Sequence, residues 1–252
     1  MRPAFILPDV KDESKWFNGK HHFLYSQERH AFAFEGSVTN WISFNTSLAK
    51  PDDFKSWSDL LNPKWKGKIV SYDPTIPGTG APALWYFYTN PNLGPKFISD
   101  FYGKMDIILS RDYRQLIDWM ATGKAAICLA YSEEARKAKL QGLPIDELTH
   151  IMKEGNLLTH GQGIVSLINP APHPKAATVF VNWLLSRAGQ MSFQDVTFSR
   201  LGFARVSLRT DVPKDKAVQF EIPRVGEKYF YEGPSSEQER KESVKILKDV
   251  MK

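Results

Sequence analysis

The 252-residue sequence predicts an α/β fold, a mainly parallel sheet covered by helices, and three observations predict it. From Lys68 onward, short apolar runs alternate with amphipathic stretches, as successive strand–helix units do. The run AAICLA at 125–130 is apolar without interruption, which marks a strand covered on both faces. On either side of this region, extended segments follow one another with no helix between them.

Taken in order, HAFAFEGSVTNWISFNTSL (30–48) holds two extended segments. In NPKWKGKIV (62–70), Lys64, Lys66 and Lys68 alternate with Trp65, Gly67 and Ile69; read as an extended segment, the lysines lie on a solvated face and Trp65 and Ile69 turn inward. KIVSY (68–72) is the first strand of the alternating region, followed by the turn-rich DPTIPGTGAP and an aromatic helix over about 82–89. GPKFISDFYGK is a second helix and DIIL (106–109) a second strand. Tyr113, Leu116, Ile117 and Met120 then form one stripe of a helix starting near Ser110. After the strand at 125–130 comes the polar helix SEEARKAKLQG, ended by Gly142. GQGIVSLINP (161–170) reads as a strand stopped by Pro170, and a helix over about 174–187 follows, with Ala176, Ala177, Phe180, Trp183 and Leu184 as its inner face. The last helix, about 236–251, aligns Val244, Leu247, Val250 and Met251.

An apolar content of 42% suffices for a real core. The formal net charge of +5, from 33 basic and 28 acidic residues, is spread along the chain, and with no basic helix or nucleic-acid-binding module it argues for no nucleic-acid partner. Cys128 is the single cysteine, so neither an intramolecular disulfide nor a thiolate zinc site is available. No apolar run is long enough to span a bilayer. The start, MRPAFILPDVKDESKW, is no secretory signal, so either the protein is cytosolic or its natural beginning lies outside this chain.

Four ordered stretches carry a family resemblance: ISFNTSLAKP (42–51), WSDLLNPKWKGKIVSYDP (57–74), SRDYRQLIDWMATGKAAI (110–127) and GQGIVSLINPAPHPKAATVFVNWLLSRAGQ (161–190). Together they resemble the periplasmic solute-binding proteins of ABC importers, in particular the group that includes ferric-iron-binding members. The resemblance implies a type II periplasmic-binding-protein-like fold of two α/β lobes with mainly parallel sheets, joined by hinge strands that let the lobes close on a ligand. It implies a first lobe from 1–40 and 165–252 and a second lobe from 41–164 with hinge strands at its ends. It also implies an incomplete first lobe, because such proteins ordinarily begin with a signal and several βα units before the point where this chain starts. The expected partners are a small-molecule or anion ligand and a membrane permease, with possible self-association through the incomplete lobe; the full-length protein is expected in the periplasm or another extracytoplasmic space.

Ligand chemistry in such a fold belongs at strand ends, where loops lead into helix N-termini whose unpaired N–H groups suit carboxylate, phosphate or phosphonate. PGTG (77–80), SRD (110–112) and YSEE (131–134) are three such loops. Thr79 and Ser132 offer hydroxyls, Gly80 permits close backbone approach, Arg111 suits a bidentate grip on an anion, and Tyr131 stands at the third strand end. Ser132 is equally an N-cap and Gly80 a turn residue. Trp41 is a candidate cleft wall, with Ser37 and Asn40 beside it as polar contacts. The paired tyrosines of ferric-binding relatives are replaced by Tyr131–Ser132, and His21, His22 and His30 lack ligand spacing, so no metal site is expected and Fe³⁺ ranks below a small organic or oxyanion solute.

No cofactor motif is present: Gly123–Lys124 lacks the upstream glycine of a phosphate loop, and neither a nucleophile elbow nor a zinc-protease helix occurs. Asp73 before Pro74 reads as a turn starter, and Glu133 and Glu134 as complements to a helix dipole. Solute capture for an ABC importer is therefore the leading reading. An enzyme reusing the bilobal scaffold and a truncated remnant without binding activity are the alternatives.

Overall fold

The computed structural model describes residues 5–24, 30–39, 41–130, 132–161, 163–231 and 237–252. The chain begins with α1 (Pro8–Lys11), β1 (Phe32–Ala33), β2 (Ser37–Thr39), β3 (Ile42–Asn45), β4 (Ile69–Tyr72), α2 (Gly80–Thr89), α3 (Gly94–Lys104) and β5 (Ile108–Ser110). It continues with α4 (Tyr113–Ala121), β6 (Ile127–Leu129), α5 (Ser132–Leu140), β7 (Ile145–Glu147) and β8 (Asn156–Thr159). The last elements are β9 (Ile164–Val165), α6 (Pro174–Leu185), α7 (Arg187–Leu201), β10 (Tyr229–Tyr231) and α8 (Glu237–Val250). Its contacts divide the chain into two units, Met1–Thr39 with Leu157–Pro234, and Asn40–Asn156 with Ser235–Lys252.

The second of these units is built on a five-stranded sheet in the order β5-β4-β6-β3-β7. β4 runs parallel to both β5 and β6, while β3 pairs antiparallel with β6 and β7. Cys128 sits fully buried at the centre of β6, opposite Val70 of β4 and Ser43 of β3, and burial pushes its thiol pKa up. One face of the sheet carries Val70, Tyr72 and Cys128, packed against Leu116 and Met120 of α4 and Ala135 and Ala138 of α5. The expected α4 stripe thus forms, and Asp112 caps it by accepting from Arg114 N and Gln115 N. Alternation turns Ile69, Ser71, Ile127 and Leu129 to the other face. An aromatic layer accompanies α2 and α3, in which Phe87 packs edge-on against Trp57 at 4.9 Å and Phe97 at 5.0 Å.

Two expectations fail here. The lysine alternation is not extended: Pro63–Trp65 is a turn of 3₁₀ helix, and the strand begins only at Ile69. The Asn62 side chain accepts from Lys64 N and Pro63 starts the turn, so local capping overrides the period-2 pattern. Lys64 pairs with Asp53 at 2.6 Å and lies over the Trp65 ring, Lys66 pairs with Asp106 at 3.6 Å, and Gly67 adopts φ +70°, donating to Met105 O at 2.9 Å. The last helix, expected in the first lobe, packs on α3 and α2 and so joins the second unit. Tyr88 of α2 donates to Glu242 of α8 at the same contact.

The first unit holds a two-stranded pair, β1 with β9, and a three-stranded sheet in the order β10-β8-β2. The strand expected over 161–170 shortens to Ile164–Val165. Arg209, wholly buried, ties the unit together by donating to Asp9 at 3.0 Å, Asp211 at 2.8 Å and Leu185 O at 3.0 Å. The helix expected over 174–187 is α6, followed by a separate α7 capped by Ser186. A Cβ at Gly189 would lie 1.9 Å from Trp183 O, so only glycine allows the two helices to meet there. The inner face of α6 is not the expected one: Val181, Asn182 and Leu185 are buried, whereas Phe180 and Trp183 are 55% and 47% exposed. Asn182 decides the rotation, because its Oδ1 accepts from Ile6 N at 2.8 Å and Leu7 N at 3.1 Å, anchoring a polar residue inward.

Candidate ligand-binding site

β4 and β5 end level with each other, Tyr72 opposite Ser110, and Asp73 N extends the ladder by donating to Ser110 O at 2.9 Å. Parallel strands that end together open a crevice beyond their carboxyl ends, the usual place for a ligand in such sheets. At this point lies a cavity of about 480 Å³ lined by Asp73, Leu109, Ser110, Arg111, Asp112 and Gln115.

Most of the polar groups around it are already committed. Asp73 Oδ1 accepts from Thr75 N at 2.9 Å and Thr75 Oγ1 at 2.6 Å, an Asx turn after the strand. Its Oδ2 accepts from Arg111 Nε at 2.9 Å. Burial raises the Asp73 carboxyl, yet the Thr75 and Arg111 bonds outweigh it and hold the group below the usual carboxylate range. Asp112 is spent on the α4 cap, and Ser110 Oγ donates to Gln115 Oε1 at 2.7 Å. Arg111 is the exception, because its side chain is 69% exposed and among the described residues only its Nε is engaged, which leaves both terminal nitrogens for a ligand. A guanidinium fixed at Nε presents its outer edge as a planar fork, the geometry that matches carboxylate and phosphate.

Thr79 and Gly80 belong to the neighbouring strand-end loop but do not line this cavity. Thr79 N donates to the Tyr113 hydroxyl at 3.3 Å, its Oγ1 lies 3.1 Å from the same oxygen, and the Tyr113 ring stacks on Tyr72 at 4.2 Å. Thr79 forms no side-chain cap on α2, so the first N–H groups of that helix keep their capacity for an anion. The glycines serve their own chain: a Cβ at Gly80 would stand 2.5 Å from Tyr72 O, and one at Gly78 would stand 2.3 Å from the Tyr72 ring. Close approach of the backbone to Tyr72 accounts for both.

The remaining candidates lie elsewhere. Trp41, expected as a cleft wall, is 4% exposed, with its ring 5.7 Å from Tyr86 and 6.3 Å from Trp57, in the aromatic core of the second unit. Ser37 belongs to the first unit, buried on β2 opposite Thr159, with no hydrogen-bond partner for its hydroxyl. Asn40 and Tyr131 fall outside the described residues, and Ser132 opens α5. Sequence reasoning missed Gln115 as a lining residue and Asp73 as the group that orients Arg111. Among the described residues, no cluster of three or more His, Cys, Asp or Glu comes together to hold a metal. His21 and His22 are engaged by main-chain carbonyls of Val10 and Phe17.

Comparison with known proteins places the chain in a family. Residues 23–198 match the family described as bacterial extracellular solute-binding protein. An uncharacterized protein of Haemophilus influenzae is 30% identical over 146 residues, covering 54% of this chain and 38% of that protein, so the match spans about two-fifths of the relative's length. The periplasmic binding protein AfuA from Actinobacillus pleuropneumoniae, solved with fructose-6-phosphate, superposes at TM-score 0.67 and 20% identity, covering 99% of this chain and 76% of that one. An ABC transporter structure from Clostridium perfringens gives 0.69 at 14% identity over 99% and 78% of the two chains. The ferric binding protein from Campylobacter jejuni gives 0.63 at 15% over 98% and 76%. The α/β fold is that of the periplasmic binding proteins. With the match covering well over half of its length, the chain belongs to the bacterial extracellular solute-binding protein family.

Proposed function

We propose that this chain captures a small solute bearing a carboxylate or phosphate-type oxyanion, as the extracytoplasmic binding component of an ABC importer. The observation that carries the reading is Arg111, oriented by Asp73 at the mouth of two parallel strands with its terminal nitrogens unspent. The uncapped N-terminus of α2 adds donors of the same sign nearby in the fold. A binding protein of this kind works by stabilising one conformation for a membrane permease to recognise, and needs no nucleophile or general base. The cavity fits that requirement: Asp112 is held by a helix cap, and Asp73 by an ion pair that keeps its carboxyl below the usual range.

The lobes of the binding fold are assigned to the two units, Met1–Thr39 with Leu157–Pro234 and Asn40–Asn156 with Ser235–Lys252. Ferric iron is the weaker cargo, since Arg111 repels a cation. The test is a thermal-shift panel of carboxylates, phosphate esters, phosphonates, neutral sugars, polyamines and Fe³⁺ on the wild-type chain and on R111A. A class of oxyanions that raises the wild-type midpoint and leaves R111A unmoved is expected. Stabilisation by cations or neutral sugars alone, or equal stabilisation of both proteins, would refute the reading.

A further inference from the structure

Glu35 lies just before β2 and is 1% exposed, although it is acidic and its Oε1 has no hydrogen-bond partner. Its main chain is fully used: it bridges Ser207, its N–H reaches Gly163 O at 3.4 Å, and its carbonyl accepts from His160 Nδ1 at 3.1 Å. Its side chain is pressed against Gly161 and Gly163. A Cβ on Gly161 would lie 2.7 Å from Oε1, and one on Gly163 would lie 2.0 Å from the Glu35 Cβ and 2.9 Å from Oε2. Glycine at both positions is what leaves room for the carboxyl group.

The charged groups facing it come from two other segments. Arg205 brings Nη1 to 3.9 Å from Oε1, an ion-pair distance too long for a hydrogen bond, and Glu221, from the short helix at 219–221, adds a like charge. Just before Gly161 comes His160, spent on the main chain, and His22 next to it is driven toward its neutral form by burial. Burial pushes the Glu35 carboxyl up to about 7, with Arg205 opposing the rise and Glu221 adding to it.

We propose that Glu35 is a proton-operated latch on the backbone at Gly161 and Gly163, between β8 and β9. Uncharged, the carboxyl group fits against these glycines. Ionised, it must draw Arg205 into hydrogen-bond contact or admit water, and either change disturbs the close packing of Gly161 and Gly163 against the carboxyl group. The contact that reports the disturbance is Phe34 N to Gly163 O, 2.8 Å in this structure.

Amide hydrogen exchange of Phe34 across about pH 5 to 8.5, corrected for intrinsic chemistry, reads the latch in the full chain. In the wild type, protection is expected to fall by about tenfold or more as the pH rises through neutrality, and in E35Q it stays level. R205Q keeps the buried carboxyl and removes its cation, so its midpoint is expected to move to higher pH. Level protection in the wild type, an equal fall in E35Q, or an R205Q midpoint that stays or drops would overturn the proposal.

Discussion

Asp73 and Arg111 are 38 residues apart in the chain, and the parallel pairing of β4 with β5 places them side by side. If the fork geometry of Arg111 matters as well as its charge, R111K should weaken oxyanion binding by about tenfold or more by isothermal titration calorimetry, because lysine offers a point charge and no planar pair of donors. D73N keeps the cavity and loosens the guanidinium, so affinity falls while selectivity for anions over neutral analogues stays. The Asp73 carboxyl is held below its unfolded value, so the ion pair contributes stability that is present above about pH 4 and is lost only as pH falls through the lower folded value. Glu35 has the opposite sign. Its carboxyl sits at about 7 when folded against 4.5 as the unperturbed value, so its contribution is full below about pH 4.5 and is lost as the pH rises toward 7. Chemical denaturation should find E35Q as stable as the wild type near pH 4.5 and roughly 3 kcal/mol more stable near pH 8. At this scale the sequence made Arg111 legible as a candidate, since an arginine after a strand suits an anion. Its orienting partner was hidden because the pairing depends on sheet register, and the burial of Trp41 was hidden because aromatic rings suit a core and a cleft equally.

The strands at the centre of the second unit could be read from local pattern because burial on both faces leaves an unbroken apolar run, as in β6. α4 could be read from its 3.6-residue stripe, although its cap is Asp112 and its start lies beyond the expected Ser110. The pattern misled where a polar anchor or a cap outweighed it. The lysine alternation before β4 became a 3₁₀ turn held by Asn62. In α6 the more apolar stripe faces outward because Asn182 is hydrogen-bonded inward. The assignment of the α6 face has a direct stability test. Leu185→Ala should cost about 2–5 kcal/mol, as a buried leucine does, whereas Phe180→Ser should stay within about 0.5 kcal/mol. The reverse order in a urea-unfolding series would show that α6 is turned the other way. Gly189→Ala should destabilise by about 1–3 kcal/mol, since its new methyl would meet Trp183 O.

For the whole molecule, alternation of strands and helices was enough to set the α/β class, and the ordered stretches from 42 to 190 carried the family. The membership of α8 was not legible, because an amphipathic helix at the end of a chain carries no signal for which sheet it will cover; its contacts with α2 and α3 decided it. No helix among the described residues is long and apolar enough to cross a membrane. Solute capture at the ends of the parallel strands β4 and β5 is the claim that joins fold to function. A crystal structure of the chain with the best-stabilising oxyanion tests it most directly. The account predicts the anion on the terminal nitrogens of Arg111 with the Nε bond to Asp73 intact; an anion bound elsewhere, with Arg111 unengaged, would contradict it.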